Sequence, residues 1–120
     1  MNKIYHLATC TTCQRILEET GAGKKGIALQ DIKTEQISPE QLDQLKEKAG
    51  SYEALFSRRA IKYKEMGLKD QQLDETDYRR LILEEYTFLK RPVAVVGDKL
   101  FVGNDKKTVA ALGDALNKKK

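Results

Sequence analysis

The residues most able to do chemistry in this 120-residue chain stand together near its start, in Ala8-Thr9-Cys10-Thr11-Thr12-Cys13-Gln14-Arg15, which holds both cysteines of the protein. A thiolate at Cys10 is a nucleophile toward a disulfide or another electrophilic centre. A second thiol three residues on can attack the mixed disulfide formed at the first. Reactivity requires the anion, and a free cysteine ionises only near pH 8.5. The surroundings of Cys10 must therefore favour charge. The unpaired N–H groups and positive dipole end at a helix start would do so. Thr11 and Thr12 add hydroxyls and further N–H groups beside the sulfur, and Arg15 adds a positive charge in the first helical turns. The competing reading is a pair of small, buried core residues, since cysteine packs readily in interiors.

The flanking sequence supplies the required element. Lys3–Leu7 is a short apolar run that reads as a strand, and Thr11–Thr20 reads as a helix ending at Gly21. Cys10 then falls on the strand-to-helix turn, and Cys13, one turn later, is the more buried of the two and suits the resolving role. Residues 27–32 alternate as a second strand, giving a parallel β-α-β unit. Ser38-Pro39-Glu40-Gln41 carries a complete helix start: a capping serine, proline at the first helical position and a glutamine to close the capping box. That helix runs to Ala49-Gly50. Tyr52–Phe56 reads as a short helical turn, Ala60–Met66 as a helix stopped by Gly67, and a helix capped by Asp74 or Thr76 runs to about Phe88. The middle third is thus expected to be helical and without strands. Pro92–Val96, the turn Gly97-Asp98 and Lys99–Val102 form a hairpin pattern. From Asp105 onward, Val109, Leu112 and Leu116 line one face of a last helix. The order β-α-β, helices, β-β-α is that of an α/β, thioredoxin-like fold. It predicts a four-stranded mixed sheet flanked by helices, with core residues about 1–35 and 88–118 and an all-helical insertion about 38–88, in one domain spanning 1–120.

Composition restricts the function classes. Hydrophobic residues make up 40% and charged residues 33%, and no apolar run approaches the roughly 20 residues that cross a membrane. The start of the chain reads directly into the first strand without a signal-peptide pattern, so the expected location is cytoplasmic. Two cysteines and one histidine are too few for a zinc site, which takes four ligands, unless two chains share it; no metal is expected. The net charge of +4 rests mainly on Lys118-Lys119-Lys120. No aromatic residues are interleaved there for base stacking, so direct nucleic-acid binding is not expected.

Arg91-Pro92 is a second point of interest. A proline directly before a core strand in this fold is often cis, at a cost of about 0.5–1 kcal/mol. It would set Arg91 beside Cys10, facing an anion. Arg58 and Arg59 offer a further cation from the helical middle, against the plainer reading of solvated or salt-bridging arginines. His6 reads as a satisfied sheet residue rather than a base. Tyr52, Tyr63, Tyr78 and Tyr86 read as packing for the insertion.

Cys10-Thr11-Thr12-Cys13, Tyr52–Leu68 with its arginines, Leu89-Lys90-Arg91-Pro92-Val93 and Lys99-Leu100-Phe101-Val102-Gly103, in that order, resemble the ArsC/Spx family. The resemblance implies a thioredoxin-like fold with a helical insertion. It also implies one of three activities: arsenate reduction coupled to glutathione or glutaredoxin, redox-sensing regulation through RNA polymerase, or a reductase activity of less characterised kind. Cys10 matches the family's catalytic or redox-sensing cysteine. Cys13 matches the second cysteine of Spx-type members, where arsenate reductases usually carry serine. Arg91 matches the arginine before the family's proline, and Arg59, or its neighbour Arg58, an arginine of the Spx-like members. Arsenate reductases carry further arginines where this chain has Ser57 and Gly103. Gly50 falls where Spx-type regulators contact the C-terminal domain of the RNA polymerase α chain. The implied enzyme is a thiol-dependent reductase acting on a small-molecule or protein disulfide or on arsenate, with no bound cofactor and with glutathione, glutaredoxin or thioredoxin as co-substrate. The implied alternative is an Spx-like regulator that binds RNA polymerase.

Overall fold

The computed structural model describes residues 2–7, 9, 11–21 and 27–117. Contacts divide the chain into two units, residues 1–35 with 91–120, and residues 36–90.

The first unit is built on a four-stranded sheet in the order β2-β1-β3-β4, from β1 (Asn2–His6), β2 (Ala28–Asp31), β3 (Val93–Val96) and β4 (Lys99–Val102). β1 runs parallel to β2 and antiparallel to β3, and β3 and β4 form the hairpin, so the sheet is mixed and thioredoxin-like. Gly97 has φ 64° in the hairpin turn, a left-handed conformation that a side chain disfavours. Helix α1 (Thr11–Thr20) buries Cys13, Ile16, Leu17 and Thr20, the i, i+3, i+4, i+7 stripe of an amphipathic helix. Ile16 and Leu17 pack on Ile4, Ala94 and Leu112 in one cluster, so α1 and the last helix, α5 (Lys106–Asn117), cover one face of the sheet. α1 has no acidic residue in its first turn and no basic residue in its last, so side-chain charge does little for its dipole. Burial of this stripe holds it instead, each large apolar side chain contributing about 1.5–3 kcal/mol.

The second unit contains α2 (Pro39–Ala49), α3 (Ile61–Glu65) and α4 (Glu75–Glu84), with 3-10 turns at Glu53–Leu55, Leu68–Asp70 and Tyr86–Phe88. α2 begins as its sequence predicts: Ser38 Oγ accepts from Gln41 N–H at 3.0 Å and Gln41 Oε1 from Ser38 N–H at 3.1 Å, with Pro39 in the first turn. It ends at Gly50, whose φ of 96° is left-handed. Asp74 caps α4 in the same way, with Asp77 closing the box. Arg79 of α4 donates to both oxygens of Asp43 of α2, at 2.9 and 3.3 Å, and the Tyr52 hydroxyl donates to Asp43 at 2.6 Å. Both Glu75 oxygens accept backbone N–H bonds from Tyr52 and Glu53, fixing the turn between α2 and α3.

One expectation for this unit needs correction. α4 stops at Glu84, four residues early, because the Glu85 side chain accepts from Thr87 N–H and the chain tightens into a 3-10 turn. That turn delivers Phe88, fully buried, onto Phe56, with ring centroids 4.9 Å apart. The middle of the chain holds helices and 3-10 turns and no strand among the described residues, as expected, with one isolated bridge added. Phe56 and Leu89 form an antiparallel bridge, with Ser57 N–H donating to Phe88 O at 2.7 Å and Lys90 N–H to Leu55 O at 2.9 Å. Of the four tyrosines, Tyr63 and Tyr78 pack against the Phe56 ring.

Candidate functional site

Cys10 lies outside the described residues. What the first unit describes is the element that follows it. α1 begins at Thr11, the next residue in the chain, so a helix start stands where the sequence reading required one. The first N–H groups of such a helix have no intrahelical acceptor, and no carboxylate in the first turn competes for them. Thr11 is exposed and Thr12 half-buried in this turn. Cys13 is fully buried, on the stripe that faces the sheet. Arg15 lies on the solvent side, 62% exposed, and its ion pair at 4.0 Å runs to Glu19, one turn toward the far end of the helix. Its guanidinium is thus engaged away from the start of α1, and an exposed pair of this kind is worth at most about 1 kcal/mol.

Arg91 and Pro92 are joined by a cis peptide bond. The last paired residues of β1 and β3 are Tyr5 and Val93. One residue beyond them stand His6 and Pro92, at the end of β1 that leads toward α1. Pro92 is buried and its carbonyl accepts from Gly103 N–H at 2.9 Å, tying it to the end of β4. Arg91 is half-buried. The first unit therefore brings the start of α1, Cys13, the cis proline and Arg91 to the same end of the sheet.

His6 requires a correction. Its backbone is satisfied, with Ile32 N–H donating to its carbonyl at 2.9 Å, but its side chain is not. The ring is 8% exposed and its Nδ1 is buried without a hydrogen-bond partner among the described residues. Burial pushes its pKa below the ordinary imidazole value, and the nearby Asp31 carboxylate opposes this only in part. The ring is held neutral. Period-two alternation places it on the Ile4 face of β1, the face that α1 covers. The signal was the single histidine at the end of an apolar strand, four residues before Cys10. Nothing in the local sequence reveals that neighbouring side chains leave Nδ1 without a partner.

The second unit separates the two adjacent arginines. Arg58 donates to Glu53 at 2.7 Å and to the Tyr78 hydroxyl at 3.0 Å, and lies over the Tyr78 ring. The plainer, salt-bridging reading is the right one for it. Arg59 is exposed and carries no hydrogen bond or ion pair among the described residues. Ser57 is half-buried and offers no cation. Gly103 has φ 95°, so an arginine there would have to hold a left-handed backbone. Gly50 has the same constraint, which its place at the end of α2 explains. Among the described residues no three His, Cys, Asp or Glu gather as a metal-holding group, and no helix is long and apolar enough to cross a membrane.

The sequence profile of the ArsC family matches residues 5–112, nearly the whole chain. The chain belongs to the ArsC family. Solved structures agree. An arsenate reductase from Vibrio cholerae superposes with a TM-score of 0.72 at 26% identity, over 92% of this chain and 96% of that one. A YffB protein gives 0.76 at 23% identity over 93% and 98%. An arsenate reductase (ArsC) related protein from Brucella melitensis gives 0.70 at 23% identity over 92% of each. Among curated proteins none matches in sequence. ArsC membership places the chain in a family of thiol-dependent reductases with a thioredoxin-like fold.

Proposed function

We propose that this ArsC-family protein is a thiol–disulfide reductase with Cys10 as nucleophile. The observation that carries the reading is the start of α1 at Thr11, directly after Cys10, with no carboxylate in its first turn. A sulfur preceding such a helix start gains N–H donors and a favourable dipole, which lower a thiol's pKa. The Cys10 thiolate attacks one sulfur of a disulfide, forming a mixed disulfide and expelling the other sulfur as a thiolate. The Cys13 thiolate then attacks the Cys10 sulfur, forming a Cys10–Cys13 disulfide and expelling the second substrate thiolate. Two protein thiols are oxidised and one substrate disulfide is reduced. Glutathione, directly or through glutaredoxin, or thioredoxin restores the thiols; glutathione also serves in place of Cys13 if it reaches the mixed disulfide first. Thr11, Thr12 and Arg91 supply donors and charge for the anionic part of the substrate, and Arg59 is the one of the arginine pair still available for that task.

Arsenate is the less favoured substrate. Ser57 and Gly103 stand where arsenate reductases carry cations, and an oxyanion without them loses charge-assisted, bidentate hydrogen bonds. A steady-state assay with arsenate and with a model disulfide, each with glutathione/glutaredoxin and with thioredoxin, tests the assignment. Disulfide turnover well above arsenate turnover supports it; no turnover of either substrate with any reductant overturns it. The buried Cys13, at the position of the second cysteine of Spx-type members, favours a second reading in which the same disulfide switches affinity for RNA polymerase. A pull-down with the C-terminal domain of the polymerase α chain tests this, and no binding in either the oxidised or the reduced state removes it.

A further inference from the structure

The second unit carries an open groove of about 850 Å3 within residues 58–70. Its lining has a one-sided balance of charge. Arg59, Lys64 and Lys69 line it, and none of the three has an ion pair among the described residues. Of its two carboxylates, Glu65 is already matched by Lys62 at 3.7 Å, which leaves Asp70 alone against three cations. Beside these cations lies Ile61, 75% exposed and the most exposed large hydrophobic among the described residues; Met66, at the end of α3, is 47% exposed. α3 buries none of its residues, so Ile61 contributes nothing to the core. Covering this side chain completely would be worth about tenfold in affinity.

We propose that this groove is a docking site for a short acidic segment of a protein partner, one that sets carboxylates against Arg59, Lys64 and Lys69 and lays an apolar side chain on Ile61. Charge complementarity selects an anionic occupant, and the volume accommodates several side chains. A nucleic acid is the poorer match: the carboxylates of Glu65 and Asp70, which also line the groove, repel phosphates, and the exposed Ile61 offers a phosphate chain nothing. The proposal shares Arg59 with the proposed substrate site, so its test is read at Ile61, Lys64 and Lys69, which the thiol chemistry does not use.

The test is fluorescence anisotropy with a fluorescein-labelled octapeptide alternating aspartate and leucine. The comparison probes are its asparagine–leucine counterpart, an all-aspartate octapeptide and a labelled single-stranded DNA oligonucleotide. The aspartate–leucine peptide should bind at least about tenfold more tightly than each of the others, and more weakly as salt is raised. Ile61→Ser should cost about tenfold, the double charge reversal Lys64→Glu/Lys69→Glu should cost more, and Lys33→Glu, an exposed reversal outside the groove, should leave binding unchanged. All the altered side chains are exposed, so folding is not at issue; circular dichroism checks it. No binding of the aspartate–leucine peptide, equal binding of the DNA or of the all-aspartate peptide, or variants that bind as well as the native chain would each overturn the proposal.

Discussion

Replacing Cys13 by alanine separates the two chemical steps, and the structure sets how large the side effects are. Cys13 is fully buried against the sheet, so the substitution removes one well-packed heavy atom. Transfer and cavity terms together come to about 1 kcal/mol, or about 3–6 °C in melting temperature for a chain of this size. Alanine is a cleaner choice than serine, since it leaves no oxygen that could stand in for the sulfur. The alanine variant therefore stays folded at room temperature with Cys10 unaltered. In a single turnover with excess symmetrical aromatic disulfide and no added reductant, the native chain should release two equivalents of aromatic thiol, one at each step, and end as the internal disulfide. The variant should release one and keep the other half of the substrate on Cys10 as a stable adduct, read by mass spectrometry. With about 1 mM glutathione added, turnover of the variant should be at least about tenfold slower, because an external thiol replaces one held at high effective concentration. Release of two equivalents by the variant, or of one by the native chain, would refute the assignment of Cys13 as the resolving thiol.

Two further outcomes follow from the local structure. His6 is the only histidine in the chain, and its folded pKa is lowered by burial. Below about pH 6.5 the unfolded chain takes up a proton that the folded chain refuses, so stability should fall with decreasing pH, by at most about 1.4 kcal/mol per unit. His6→Leu should flatten urea midpoints measured between about pH 5 and 6.5 and leave the acid limb at lower pH, which belongs to carboxylates such as Asp43, held low chiefly by the Arg79 hydrogen bond. Ser38→Ala removes the capping acceptor of α2 and should cost about 1 kcal/mol, measured by thermal melting; an unchanged melting temperature would mean that the capping box contributes nothing to α2.

Features whose causes are local could be read from the chain. The Ser38–Gln41 capping box, the Gly97 hairpin turn, the Asp74 cap and the start of α1 at Thr11 each depend on a few adjacent residues whose side chains decide the backbone. The four strands and their mixed pairing followed from alternation and order. Features set by distant contacts were not legible. The stack of Phe88 on Phe56 and the Phe56–Leu89 bridge each join residues thirty-odd positions apart. Of the site residues, Cys13's burial followed from helical spacing, whereas the fate of Arg58 depended on Tyr78 and Glu53, and that of His6 Nδ1 on what its neighbours fail to offer.

The most direct measurement is the rate of Cys10 alkylation by iodoacetamide as a function of pH in the Cys13→Ala background, where a single thiol remains. A thiol stabilised as the anion by the start of α1 should give a midpoint well below about 8.5. A midpoint at or above that value would contradict a nucleophile activated by the helix that follows it.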